Sequence, residues 1–190
     1  RSSDLAPAKL SGGAGDDSLQ GGPGNDSLSG GAGNDTIALL ETSSVADVVV
    51  FESTAALNGV DTITGFVTTA DKVNLDALTT TTAWVTTVGA TQNVFTTGTQ
   101  AITIGNGKLY FVTTATAGGA DSAASAATAI SAGAAWTNAT TGQKAYFVVV
   151  DNNSSSVWSM TEAGGTEVLE AELTLMGTID AVLVTGDTVI

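Results

Sequence analysis

The chain has no cysteine and no histidine. Their absence excludes disulfides, zinc sites of the usual nitrogen and sulfur type, thiolate nucleophiles and every histidine-based catalytic triad. A protein of this composition must be held by packing or by hard cations, because thiol cross-links do not exist in it. Basic residues are scarce too: 5 Lys and Arg stand against 19 Asp and Glu, giving a net charge of −14. Phosphate backbones are bound by clustered Lys and Arg, so no nucleic-acid partner is expected. No run of ~18 apolar residues occurs, so no membrane-spanning helix is expected. The sequence opens on Arg1 without a basic segment followed by an apolar one, and it reads as a fragment or a processed product. Its 190 residues suit one domain or two small ones.

Glycine, by contrast, is plentiful and regularly placed. Residues 12–38 divide into three contiguous nonapeptides: GGAGDDSLQ, GGPGNDSLS and GGAGNDTIA. Positions one, two and four are glycine in each: Gly12, Gly13 and Gly15; Gly21, Gly22 and Gly24; Gly30, Gly31 and Gly33. Position six is Asp17, Asp26 or Asp35, and position eight is Leu19, Leu28 or Ile37. Glycine reaches positive φ and lets backbone approach a ligand closely, so a Gly-rich turn can aim several carbonyls inward. Calcium takes roughly six to eight oxygen ligands, carbonyls and carboxylates together. The Asp supplies charge to such a cage. The aliphatic residue, set between polar neighbours, marks a very short strand with one buried face. A flexible Gly-rich linker is the competing reading, but a linker has no reason to keep an aliphatic residue at every ninth position.

This pattern resembles the repeats-in-toxin (RTX) family of calcium-binding repeats. The resemblance implies a short right-handed parallel β-roll with two nonapeptides per coil, so that each repeat lies under the next but one. Asp17 and Asp35 would then share a calcium between stacked turns. Asp26 needs another partner, and the stretch 42–51, TSSVADVVVF, is similar to the closing repeat of RTX arrays, with Asp47 at position six and Val49 at position eight. That pairs Asp26 with Asp47 at a second site whose glycines are lost. Asp16 and Glu41 read as solvated. Further on, Asp61-Thr62-Ile63-Thr64-Gly65-Phe66 and Asp71 to Leu78 are similar to the segment after the roll in serralysin-type proteins, which continues the coil. Asp61 and Asp71 are therefore either further calcium ligands or turn caps.

The remainder reads as β-rich. Asn58-Gly59 and Asn106-Gly107 are hairpin-type turn signals. Strand-like pieces lie at 92–96, 101–104 and 108–114, and an antiparallel pair is expected from Lys144 to Val150 and Ser156 to Met160. Two more strands are expected at 168–174 and 181–185. The segment 121–132 is the one helix expected, Ala-rich, capped by Asp121 and stopped by Gly133. Trp84, Trp136 and Trp158 read as core residues. The expected fold is mainly β: a linker at 1–11, the roll at 12–51, and a β-rich capping region with one Ala-rich helix at 52–190.

The ending Gly186-Asp187-Thr188-Val189-Ile190 resembles the terminal motif of type I secretion substrates. The resemblance implies an uncleaved C-terminal export signal, with the secretion transporter as a partner and calcium as the cofactor. The leading expectation is a calcium-binding C-terminal module of a secreted bacterial protein, folding on calcium outside the cell. The alternatives are a calcium-dependent assembly domain of a surface-layer protein or adhesin, associating with itself at the cell surface, and the tail of a secreted hydrolase whose catalytic domain lies elsewhere. No catalytic residue is expected. Glu167, Glu170 and Glu172 are the nearest thing to a carboxylate pair, and acids so close in sequence on a strand read as solvated.

Overall fold

In the computed structural model the described residues are 6–39, 45–78, 94–95, 100–103, 108–113, 122–137, 141–165 and 168–189. In chain order the strands and helices are β1 (Lys9–Ala14), β2 (Ser18–Gln20), β3 (Ser27–Ala32), β4 (Thr36–Ala38), β5 (Val48–Val50), α1 (Ala55–Asn58), β6 (Asp61–Thr64), β7 (Lys72–Asn74), β8 (Val94–Phe95), β9 (Gln100–Thr103), β10 (Lys108–Thr113), α2 (Ala123–Gly133), β11 (Ala134–Thr137), β12 (Lys144–Val150), β13 (Ser155–Thr161), β14 (Leu173–Ile179) and β15 (Thr188–Val189).

The short strands alternate between two parallel sheets, as expected of a β-roll. One sheet runs β1-β3-β5-β7-β15, and the other begins β2-β4-β6-β14. Leu10 lies beside Leu28, and Leu19 beside Ile37, so one coil consumes two nonapeptides. The position-eight side chains form two facing columns. Leu28, Val49 and Val73 stack in one sheet; Ile37, Ile63 and Ile179 stack in the other; all six are buried. Each three-residue strand has room for a single inward side chain, because successive residues point to opposite faces. That is why the hydrophobic signal is one residue in nine.

The ladder of the roll runs past residues 12–51 at both ends. Lys9, Leu10 and Ser11, read as linker, pair with Ser27, Leu28 and Ser29. The ladder also passes Phe51, through β6 and β7, to the C-terminal β15. Asn58-Gly59 makes no hairpin: it ends α1, and β5 and β6 on either side belong to different sheets. Within Asp71 to Leu78, whose alternation of apolar and polar residues suggests a strand, only Lys72–Asn74 is extended, and Asp76–Leu78 is a 3₁₀ turn.

The second sheet does not stop with the roll. From β14 it continues antiparallel through β13 to β12, then parallel through β10 to β8. The expected antiparallel pair is β12 and β13, joined by a turn in which Asp151 Oδ1 accepts the Asn153 and Ser154 N–H groups. Both faces of this part are covered. Leu109, Phe111, Tyr146, Val148 and Val150 join the roll's core, while Tyr110, Val112, Phe147 and Val149 face α2. Burial on both faces is the reason that Ala145 to Val150 is a continuous apolar run rather than an alternating one. On α2, Ala126, Ala127, Ala129 and Ile130 turn toward this sheet, and small side chains let the helix lie close.

Other expectations need adjustment. Asp121, the expected N-cap, and residues 104–107, which hold the second hairpin signal, lie outside the described residues. The strands flanking that signal do not pair: β9 pairs with β11, and β10 with β8 and β12. The expected strand at 168–174 is displaced, since Glu170–Glu172 is a 3₁₀ turn and β14 starts at Leu173. Residues 181–184 form no strand; the chain turns there and re-enters the roll as β15. Among the described residues no helix is long and apolar enough to cross a membrane.

Candidate calcium-binding turns

Each coil of the roll places an Asp immediately before or at the start of a strand, and stacking lines these residues into two columns. On one flank stand Asp17, Asp35 and Asp61; on the other stand Asp26, Asp47 and Asp71, with Asp187 beyond them one residue out of register, opposite Lys72. The columns are tied by one repeated contact, in which a carboxylate accepts the backbone N–H of the coil below. Asp35 Oδ1 accepts the Asp17 N–H at 2.8 Å, and Asp61 Oδ1 accepts the Asp35 N–H at 3.1 Å. Opposite, Asp26 accepts from Ala8 at 2.7 Å, Asp47 from Asp26 at 2.7 Å, and Asp71 from Asp47 at 3.0 Å. Ala8 thus occupies the position-six place of a degenerate repeat that lacks its Asp.

The second carboxylate oxygen separates the members of each column. The Oδ2 atoms of Asp17, Asp35 and Asp47 are buried with no donor. Leaving a buried carboxylate oxygen unpaired is costly, and a hard cation is the partner that would relieve it. The glycines keep the adjoining space open. A Cβ at Gly12 would sit 2.7 Å from Asp17 Oδ2 and 2.5 Å from the Gly30 carbonyl oxygen. A Cβ on Gly31 or Gly33 would run into the Gly13 or Gly15 carbonyl of the coil below, and both residues have positive φ, 98° and 141°. Buried carboxylate oxygens beside crowded backbone carbonyls form a donor set that fits calcium. Among the described residues no three acidic side chains are grouped to hold a metal; on the Asp17–Asp35 flank the carboxylates are joined by the carbonyls of Gly13, Gly15 and Gly30 instead.

Compared with protein families, residues 9–38 match the RTX calcium-binding nonapeptide repeat (4 copies). This stretch is an RTX repeat array. Repeats of this kind bind calcium. The match includes the coil that begins at Lys9, in agreement with the start of β1. No curated protein matches the chain.

Around the RTX array, the structure brings together the paired residues expected from the sequence: Asp17 stacks with Asp35 and Asp26 with Asp47. The glycines of the second turn, Gly21, Gly22 and Gly24, precede Asp26, with Gly22 and Gly24 at positive φ. Asp16 is exposed, as expected, and its carboxylate accepts the Asn34 N–H at 2.8 Å. Glu41 lies outside the described residues. Asp61 and Asp71 extend the columns but have a donor on each oxygen. Asp61 Oδ2 accepts the Asn58 amide at 3.0 Å, and Asp71 Oδ2 accepts the Val67 N–H at 2.7 Å. Burial pushes the Asp61 carboxyl up to about 7; the Asp35 N–H and the Asn58 amide oppose the rise, and the Asp35 and Glu52 carboxylates add to it. Burial also raises Asp71, against the N–H donors of Val67 and Asp47.

Three features of the site were missed in the sequence. Asn58 is fully enclosed, and its amide reaches Asp61 Oδ2 and the Met176 carbonyl. Asp187 closes its column by accepting the Thr69 N–H at 2.9 Å and the Val184 N–H at 3.0 Å, with Lys72 Nζ at 3.8 Å. Position four keeps its left-handed backbone after the motif has decayed: Gly59 precedes Asp61 by two residues at φ 71°, and Thr69 precedes Asp71 by two at φ 75°. The interval of two between a glycine and an Asp was the available signal for Gly59; Thr69 carried none.

Two of the three acids read as the nearest thing to a carboxylate pair fall among the described residues. Glu167 lies outside the described residues and Glu170 is exposed. Glu172 is buried rather than solvated, because its two oxygens accept the Ala163 and Leu169 N–H groups at 2.7 and 2.8 Å and so close the loop before β14. Trp158 is a core residue whose indole N–H donates to Ser156 Oγ. Trp84 and the Trp136 side chain lie outside the description.

Proposed function

We propose that the chain is the calcium-binding C-terminal module of an exported bacterial RTX protein, that it folds on calcium outside the cell, and that it has no catalytic role of its own. The observation that carries this reading is the set of buried, donorless Oδ2 atoms on Asp17, Asp35 and Asp47. When bound, calcium supplies positive charge and oxygen coordination at those atoms and at the neighbouring glycine carbonyls. The chain's own residues do the rest. Asp35 and Asp47 set the register of the coils by accepting backbone N–H groups, and the glycines keep the turns open to the metal.

Folding and export then follow one logic. A net charge of −14 and strands as short as three residues leave the roll unable to hold itself without a cation. Extracellular calcium modules bind at about 10⁻⁴–10⁻³ M, above cytosolic levels. The roll would pass the type I transporter unfolded. Once outside, binding to the folded state alone draws the equilibrium toward it.

The test is a calcium titration of metal-stripped protein followed by far-ultraviolet circular dichroism, with magnesium as control. The expected result is a gain of β-structure at sub-millimolar to millimolar calcium that Asp17→Ala and Asp35→Ala abolish. A roll fully formed in chelator and indifferent to calcium would end this reading.

A further inference from the structure

We propose that Asn58 takes the place of calcium at Asp61, so that the closing layer of the roll is held by protein groups and only the coils N-terminal to it depend on metal. The inference rests on the calcium reading of the lower coils and adds a boundary to it.

The two lower rungs of the Asp17–Asp35–Asp61 column each bury an Oδ2 atom without a donor. At the third rung the equivalent atom has one, the Asn58 Nδ2 at 3.0 Å. This amide is fixed from three sides. Its oxygen accepts the Glu52 N–H at 3.0 Å, its nitrogen also donates to the Met176 carbonyl in β14 at 2.8 Å, and the residue is 1% exposed. A buried amide N–H directed at a carboxylate provides partial positive charge at a fixed point, where the coils below have none. The opposite column closes in the same way. Asp71 is satisfied by the Asp47 and Val67 N–H groups, and Asp187 by Thr69 and Val184, with the Lys72 ammonium alongside. The change from donorless to satisfied oxygens occurs where the roll meets the C-terminal sheet. There Gly177 of β14 faces Phe51 so closely that a Cβ would come within 2.9 Å of the ring.

Chemistry predicts what each variant does. Asn58→Ala strips Asp61 Oδ2 of its donor and makes the third rung resemble the two below it. Asn58→Asp places a second carboxylate against Asp61 and builds a cation site where an amide had stood.

Hydrogen exchange of the full chain by mass spectrometry tests the proposal. In chelator the wild type should lose protection over 27–38 but keep it over 61–64. Asn58→Ala should lower protection over 61–64 in chelator by about tenfold or more, and calcium should restore it. Native mass spectrometry should count one more calcium on Asn58→Asp than on the wild type. The proposal is overturned if 61–64 opens together with 27–38 in wild-type chelator samples, if Asn58→Ala leaves 61–64 unchanged, or if the Asn58→Asp count does not rise. Failure of the calcium reading looks different: 27–38 would stay protected in chelator.

Discussion

The first coils of the roll and the central strands of the C-terminal sheet are both β-structure, yet they are stabilised in opposite ways. Strand β4 buries one side chain, Ile37, at its centre, whereas every residue of β12 after Lys144 is buried. The roll compensates with backbone-to-carboxylate ladders that leave charged oxygens in need of a cation. The C-terminal sheet has aromatic and aliphatic packing on two faces and an Ala-rich helix over one of them. On the proposed reading, one chain joins an element conditional on metal to one that is not through a shared sheet, and β14 is the strand where they meet.

The sharpest way to break this comparison is to damage the unconditional half. Phe147 is fully buried and stacks on Tyr110 with ring centroids 5.3 Å apart. Phe147→Ala should destabilise by about 3–5 kcal/mol, the usual cost of emptying an aromatic site. The loss should be equal in calcium and in chelator when followed by denaturant unfolding of the C-terminal sheet. Asp35→Ala should do the reverse, costing stability in calcium and little in chelator. If both variants lose stability only in calcium, the two halves are not separately supported.

How much of this was legible in the sequence follows from the same contrast. The array was readable because nearly every position in it answers to one requirement: positive φ, a carboxylate, or an inward aliphatic. Asp47 and Val49 kept enough of that pattern to be placed without their glycines. The later coils were only half legible. The loops lengthen from 18 residues between rungs to 21, 24 and 26, which hides the period. Asn58-Gly59 imitated a hairpin because local turn chemistry does not reveal which sheet the next strand joins. The tail could not be placed at all, since β15 pairs with β7 across more than a hundred residues and only two residues make the contact. Glu172 read as a solvated acid because the turn that holds it, where its oxygens cap the N–H groups of Ala163 and Leu169, was read as a strand.

Acid sharpens the comparison at the boundary itself. The Asp61 carboxyl has a folded value of about 7 against an ordinary 3.8, because burial disfavours the charge. Between those values the folded form holds the proton more tightly than the unfolded form. In chelator, then, Asp61 contributes stability at low pH that is lost as pH rises through about 7. Protection over 61–64 should be higher at pH 5.5 than at pH 8, with Glu52 and Asp35 as the charged neighbours that enlarge the effect. Asp61→Asn should flatten this slope, and an unchanged slope would assign the pH dependence to another group.

The smallest effect lies in the backbone. Thr69 is the one described residue other than glycine at positive φ, and a β-branched side chain is poorly tolerated there. The conformation persists because the chain above it requires it. The Thr69 N–H must reach Asp187, while Val67 and Asp71 close the turn with their own contacts. Thr69→Gly should therefore raise the melting temperature, by the equivalent of up to about 1 kcal/mol: relief of left-handed strain outweighs the added freedom of glycine in the unfolded chain. Because this turn belongs to the layer held by protein groups, the gain should be the same in calcium and in chelator. A gain confined to calcium would place Thr69 among the metal-dependent coils and move the boundary between the two regions one coil toward the C-terminus.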